Sequence, residues 1–170
     1  RVQRKRRDRS PAFHTTRSKL IFSPGLPELP ESRGLPVRRM AAAVQRLAAP
    51  AEALAMVGVL KPSLHFYSRR VVIYEGIEPE GLVNLADRLR HEGRPGMHPA
   101  PASAQPTVLV LIDGRTAASP FWRGLQPVLL AQDGIYRLWR LDRGRLEQRA
   151  ADLQAAGHPV TWTRPRPERY

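Results

Sequence analysis

The chain has 170 residues, 42% of them apolar, which is enough for one domain with a packed core. It contains no cysteine, which excludes disulfides, thiolate metal sites and cysteine nucleophiles. Lysine and arginine number 28 against 15 aspartates and glutamates, and the net charge of +13 favours a polyanionic partner. No apolar stretch reaches the roughly 18 residues of a membrane span. With no recognisable secretory signal either, we expect a cytoplasmic protein, nucleoid-associated if it binds DNA.

The first quarter of the chain carries most of the excess positive charge. Residues 1–39 hold 11 basic and 3 acidic residues, and proline recurs without apolar periodicity. We therefore predict a basic, proline-rich arm over residues 1–36, mobile or extended, with a targeting signal or solubility tail as the alternative. Guanidinium groups bind phosphate bidentately, which makes arginine-rich segments candidates for nucleic-acid binding. The residues predicted to bind nucleic acid are Arg4, Lys5, Arg6, Arg7, Arg9, Arg140, Arg143 and Arg145.

Residues 37–62 have the pattern of a helical segment. Met40, Val44 and Leu47 recur at helical spacing, and the apolar positions continue beyond Pro50. Because proline in a helix interior removes a hydrogen bond and clashes with the preceding turn, we expect Pro50 to split the segment into two helices. The pair is expected to pack on the following domain.

Strands and helices alternate in the remainder of the chain. Predicted strands cover residues 65–75, 107–113, 135–141 and 159–163, and helices are predicted near residues 82–93, 119–129 and 143–156. The domain therefore spans residues 63–163, and residues 164–170 form a polar tail. Such alternation predicts an α/β fold, a compact four-stranded and mainly parallel sheet with helices on both faces.

Three of the predicted strands end on an acidic residue or directly before one: Glu75, Asp113 and Asp142. The carboxyl ends of parallel strands meet at one edge of a sheet, so we expect these carboxylates to share one crevice. Each acid also has an ordinary structural interpretation. Asp142 is placed as a helix N-cap and Asp113 begins a turn, while Glu75 has arginines nearby to pair with.

The run Val72-Ile73-Tyr74-Glu75-Gly76 has the form of the Glu-Gly pair that ends the first strand of Toprim domains. Over about residues 69–163 the chain resembles this family of topoisomerase, primase and nuclease modules. Its Asp-x-Asp motif corresponds to Asp142-Arg143-Gly144, where Gly144 replaces the second acid. The resemblance implies a Mg²⁺ ion held by Glu75, Asp142 and Asp113. It also implies that Glu75 is the catalytic acid or base.

These observations predict a nucleic-acid-associated protein with a degenerate Toprim-like domain and DNA or RNA as its partner. Its enzymatic form would be a Mg²⁺-dependent nuclease or nucleotidyl-transfer enzyme. Because the second acid is missing at Gly144, two alternatives stay open. One is a non-catalytic basic protein that binds DNA or RNA or serves in an assembly, and the other is a protein-interaction domain. A chain that begins at Arg1 is also compatible with a fragment that has a further domain or protein partner.

Overall fold

The computed structural model describes residues 35–91 and 105–162. Most of the predicted basic arm and the polar tail therefore lie outside the described residues. Ten elements follow one another along the described chain: α1 (Leu35–Leu47), β1 (Ala53–Val57), α2 (Ser63–Ser68), β2 (Val72–Glu75), α3 (Pro79–His91), β3 (Thr107–Asp113), α4 (Gly114–Ala117), β4 (Val128–Asp133), β5 (Tyr136–Asp142) and α5 (Arg143–Ala155).

The strands form one mixed sheet in the order β2-β1-β3-β5-β4. β1 pairs in parallel with both β2 and β3, whereas β5 pairs antiparallel with β3 and with β4. The α/β class is confirmed. The finer prediction of four mainly parallel strands matches only roughly, because the sheet has five strands and two of its four pairings are antiparallel.

Helices cover both faces of the sheet. Successive residues of a strand point to opposite faces, so each strand contributes side chains to both core layers. Ala55 and Val57 of β1 face the core layer under α3 and α5. Leu54 and Met56 face the layer under α1 and α2. β3 lies between β1 and β5, and its residues 108–112 are fully buried. This two-sided burial explains why the strand Thr107–Asp113 is a continuous apolar run, and its predicted bounds are confirmed.

The strand β1 was not predicted from the sequence. Residues 51–60 were predicted to form the second helix of a helical pair, but Ala53–Val57 is a strand in the parallel half of the sheet. Alanine, leucine and methionine favour helices, yet this segment is buried on both faces. Short apolar runs buried in this way do not distinguish strand from helix by periodicity.

The second difference is the hairpin formed by β4 and β5. A helix was predicted over residues 119–129, but the chain forms α4, a series of turns, and then β4. Gly134 and Ile135 form the two-residue connection to β5, with Gly134 at φ 55°. Glycine at the first central position is typical of a two-residue hairpin turn. The hairpin reverses β5 relative to β3, which makes the sheet mixed.

The helices α3 and α5 were predicted at nearly the observed positions, whereas the predicted strand 65–75 divides into α2 and β2. Residues 159–162 of the predicted last strand are not a strand. They pack on α3 instead, where Asn84 Oδ1 accepts hydrogen bonds from the backbone N–H groups of Thr161 (2.8 Å) and Trp162 (3.2 Å). Within the described residues, no helix has the length and apolar character that crossing a membrane requires.

Candidate functional site

A crevice lies at the carboxyl ends of β1 and β3, where the chain leaves the two strands toward opposite faces. The chain after β1 leads to Leu64 of α2 in one core layer. The chain after β3 leads to Trp122 and Leu125 in the other. Neighbouring parallel strands whose connections diverge in this way form a topological switch point, which is the usual position of ligand sites in open α/β sheets. This crevice is therefore our candidate site.

Asp113 lies at the bottom of the crevice, where it is the N-cap of α4. Its Oδ1 accepts hydrogen bonds from the backbone N–H groups of Arg115 and Thr116, both at 3.0 Å. Its Oδ2 accepts from Thr116 Oγ1 at 2.6 Å and from the backbone N–H of Val59 at 3.1 Å. Burial raises the pKa of Asp113, but these hydrogen bonds outweigh it and hold the pKa below its ordinary value. Asp113 therefore joins the chain after β1 to the chain after β3.

Gly58 allows this close approach. Its φ is +90°, and a Cβ at this position would lie 2.0 Å from Asp113 Oδ2 and 2.5 Å from Thr116 Oγ1. A side chain at residue 58 is thus excluded both by backbone conformation and by contact. The glycine after β1 is required for the carboxylate of β3 to reach the neighbouring loop.

Above Asp113 the crevice opens into a cavity of about 320 Å³ lined by Arg115, Gln132 and Arg137, among others. Arg137 and Gln132 are register partners in the β4–β5 hairpin. The backbone N–H of Gly114 donates to the carbonyl of Ile135 at 2.8 Å, which ties the end of β3 to the hairpin turn. Among the described residues, no carboxylate forms an ion pair with Arg115 or Arg137.

Glu75 ends β2 at the same edge of the sheet, but it belongs to a separate buried network. Its carboxylate is 1% exposed, and Oε1 lies 3.1 Å from Arg88 Nη1. Oε2 accepts a hydrogen bond from Asn84 Nδ2 at 3.3 Å, and the same Asn84 binds the backbone of residues 161 and 162. Glu75 thus helps to attach the segment after α5 to α3. Its catalytic role stays a prediction.

Asp142 lies at the opposite edge of the sheet. It pairs in register with Thr107, the first residue of β3, whereas Asp113 is the last. The length of β3 therefore separates Asp142 from Asp113, about 20 Å at roughly 3.3 Å per residue. Asp142 is exposed and caps α5, accepting a hydrogen bond from the Arg145 backbone N–H at 2.8 Å. The reversal of β5 is the physical reason why the three acids do not share one crevice.

The residues do not fit the implied magnesium site. In the part of the chain that the structure describes, no three His, Asp or Glu residues are grouped as metal ligands. Glu75 is engaged by Arg88 and Asn84, and Asp113 already accepts four hydrogen bonds. Magnesium binding stays a prediction that this geometry does not favour, and we derive no step through a metal.

The arginines predicted to bind nucleic acid have separate structural partners. Arg140 pairs with the buried carboxylate of Glu52. Arg143 Nη2 donates to the carbonyl of Leu89 at 2.7 Å, and Arg145 Nη1 donates to Gln126 Oε1. The remaining members of that set, Arg4, Lys5, Arg6, Arg7 and Arg9, lie outside the described residues.

Comparison with known protein families shows which family the chain belongs to. The family model described as cyanobacterial RgtA-type glycosyltransferase, C-terminal domain, matches residues 47–157. The chain belongs to this family. The matched range begins at the end of α1 and continues through all five strands to the end of α5, so the RgtA-type domain includes the whole sheet. Comparison with the curated proteins and with the solved structures gives no match.

Membership of the RgtA-type family corrects the functional interpretation of the sequence. The resemblance to Toprim domains is wrong, and so are the predictions of a nucleic-acid-associated or nuclease function and of DNA or RNA as partners. A short apolar strand ending in Glu-Gly occurs in unrelated α/β domains, and the more specific Asp-x-Asp motif is incomplete here. The high net charge was weak evidence, because net charge indicates non-specific attraction to polyanions and does not identify a partner.

Three residues of the crevice were not predicted from the sequence: Arg115, Gln132 and Gly58. Arg115 and Gln132 come together only through the β4–β5 hairpin, which was not predicted. The signal that was present is the glycine directly after the apolar run Ala53–Val57. A strand followed by a glycine at the end of a parallel pair is where a close backbone approach is expected.

Proposed function

We propose that this domain binds a saccharide substrate of glycosyl transfer in the crevice between β1 and β3. Arg115 and Arg137 are the residues that contact the ligand, with Gln132 beside them. The family supports a sugar as the class of substrate. The position at the switch point of the sheet supports the crevice as the place where it binds.

One observation carries the proposal. Arg115 and Arg137 line the cavity without a carboxylate partner among the described residues. The one carboxylate of the cavity, Asp113, already accepts four hydrogen bonds from Val59, Arg115 and Thr116. Each guanidinium presents five N–H donors and no acceptor. Such donors match the hydroxyl oxygens of a sugar, and they match a phosphate on a sugar better, because charge-assisted hydrogen bonds are about twice as strong as neutral ones.

The size of the cavity agrees with a small ligand. Small-molecule sites usually measure from roughly 300 to 1,000 Å³. At about 320 Å³ the crevice is at the lower end of this range. A single phosphorylated sugar ring is therefore the ligand that we expect, rather than a long glycan chain.

The proposal is tested by calorimetric titration of the protein with glucose 1-phosphate and with glucose. We expect binding of the sugar phosphate, and we expect Arg137→Gln and Arg115→Gln each to weaken it about tenfold, as the loss of one charge-assisted pair predicts. Arg46→Gln, at an exposed position at the end of α1, is the matched control and should bind like the wild type. Equal weakening in all three variants, or no binding of either ligand to the wild type, would contradict a site in the crevice.

A further inference from the structure

A second group of arginines surrounds a different cavity, between α5 and the turns that precede β4. Arg123, Arg145 and Arg149 line this cavity of about 530 Å³, together with Gln126 and Asp152. α5 begins at the edge of the sheet opposite to the crevice. The two cavities share no lining residue, so this cavity is independent of the proposed saccharide site.

Backbone carbonyls and one amide hold the three guanidinium groups in place. Arg123 Nη2 donates to the carbonyl of Ala118 at 2.8 Å. Arg149 donates from Nε to the carbonyl of Phe121 and from Nη2 to that of Pro120, both at 3.3 Å. Arg145 Nη1 donates to Gln126 Oε1. Since a guanidinium has five N–H donors, each arginine keeps at least three for another partner.

The backbone around Gln126 is unusual. Gln126 has φ 49°, in the left-handed region that non-glycine residues rarely adopt, and nearby Gly124 has φ 95°. A non-glycine residue in this region is strained, and the surrounding structure must offset that strain. The side chain of this same residue, Gln126, accepts the hydrogen bond from Arg145. The strained residue therefore also fixes one of the three cationic groups.

The charge of the cavity is not balanced within the described chain. Asp152 is the one acidic residue of the lining, and its Oδ1 accepts a hydrogen bond from Gln148 Nε2 at 3.1 Å. None of the three arginines forms an ion pair with a described carboxylate. Three cations and one anion leave a net charge of +2 on the lining, and like charges around one cavity repel one another. A bound anion relieves this repulsion.

We propose that Arg123, Arg145 and Arg149 form an anion site that binds a diphosphate group. A guanidinium binds phosphate oxygens bidentately, so three of them can contact the oxygens of two linked phosphates, and the net charge of +2 matches the two negative charges of a diphosphate diester. The diphosphate has two sources, a soluble nucleoside diphosphate sugar or a lipid diphosphate. The shared chemistry is recognition of the phosphate oxygens.

The test is calorimetric titration of the whole chain with inorganic pyrophosphate at roughly 50 mM salt, where salt weakens electrostatic binding only slightly. We expect Arg145→Gln and Arg123→Gln each to weaken pyrophosphate binding about tenfold. Arg46→Gln should bind like the wild type, because Arg46 is an exposed arginine at the end of α1 and lines neither cavity. Thermal unfolding of each variant checks that the fold is retained, and Arg123→Gln keeps the test valid if Arg145→Gln unfolds.

Competition then identifies the source of the diphosphate. Displacement of pyrophosphate by UDP-glucose supports a soluble nucleotide sugar, and displacement by vesicles that contain diacylglycerol pyrophosphate supports a lipid diphosphate. Displacement by neither means an adventitious ion only and overturns the proposal. It is equally overturned if the wild type does not bind pyrophosphate, or if Arg46→Gln weakens binding as much as Arg145→Gln does. Failure of the saccharide site leaves these outcomes unchanged, because it is tested by other variants.

Discussion

The carboxylate of Glu52 and the guanidinium of Arg140 form a two-point ion pair, with Nε–Oε1 at 2.9 Å and Nη2–Oε2 at 3.0 Å. Glu52 precedes β1 and Arg140 lies on β5. Glu52 Oε1 also accepts a hydrogen bond from Thr107 Oγ1 of β3 at 2.6 Å, while Arg140 Nη2 donates to the carbonyl of Leu47 in α1 at 2.6 Å. The pair therefore connects the parallel and antiparallel halves of the sheet with the helix that covers them.

Replacing Arg140 by methionine should lower the free energy of unfolding by about 3 kcal/mol, because a buried carboxylate loses its cation. The side chain of Glu52 is 0% exposed, so water does not replace the lost partner. Urea denaturation measures the change. The matched control is Arg39→Met, since Arg39 is 70% exposed and lies 3.6 Å from Asp133. We expect the control to change stability by less than about 1 kcal/mol, and similar losses in both variants would contradict a special role for the buried pair.

The stability of the protein should fall in acid through Glu52. Burial raises the pKa of Glu52, but hydrogen bonds from Arg140, Thr107 and the Ala49 backbone outweigh it and hold the pKa below its ordinary value of 4.5. A carboxylate with a lowered folded pKa stabilises the protein above its unfolded pKa, and this contribution is lost as the pH falls through the folded pKa. Urea denaturation from about pH 6 down to about pH 3 should show the decline. Glu52→Gln should decline less steeply, and an unchanged slope would refute the assignment.

Gly58→Ala should destabilise the protein by at least about 3 kcal/mol, because the new methyl group adds a clash with Asp113 to the strain of a positive φ. Gly157→Ala separates the two effects. Gly157 has φ +97°, close to the +90° of Gly58, but nothing lies within 4 Å of its added Cβ. We expect this control to lose about 1 kcal/mol of stability. Thermal and urea unfolding give both values, and equal losses would show that contact with Asp113 contributes nothing.

Asp113→Ala and Asp142→Ala compare two N-caps with different surroundings. Asp113 is buried and accepts four hydrogen bonds, so its removal also leaves Val59 N–H and Thr116 Oγ1 without their acceptor. We expect a loss of about 3 kcal/mol, the sum of a lost cap and unsatisfied buried donors. Asp142 is exposed and accepts one such bond, from the Arg145 backbone, so about 1 kcal/mol is expected. Denaturation of the two variants should preserve this order.

The central part of the fold was predictable from sequence because local and long-range preferences agree there. Thr107–Asp113 is apolar throughout and is buried in the sheet, and α3 and α5 have clear apolar positions. β1 was missed because its residues favour a helix locally, and burial between two strands overrides that preference. Local propensity carries no information about which strands become neighbours.

The site was harder to predict because it depends on strand direction. Asp142 was grouped with Asp113 on the assumption that every strand runs the same way, and a two-residue connection at Gly134 and Ile135 reverses β5. The same reversal places Arg137 beside Asp113 and Gly114 in the crevice. One turn therefore removes a carboxylate from the expected site and supplies a guanidinium in its place.

The hydrogen bonds from Val59 to Asp113 and from Gly114 to Ile135 have a consequence for selectivity. These two bonds join three chain segments that border the crevice, one through the Asp113 carboxylate and one through the Ile135 carbonyl, so the frame of the crevice is formed before a ligand binds. At the proposed site, binding then requires ordering only of the side chains of Arg115 and Arg137, at a free-energy cost of about 0.5–1.5 kcal/mol each. Changes in ligand preference among related domains should accordingly follow the identity of these two side chains and leave the surrounding backbone unaltered.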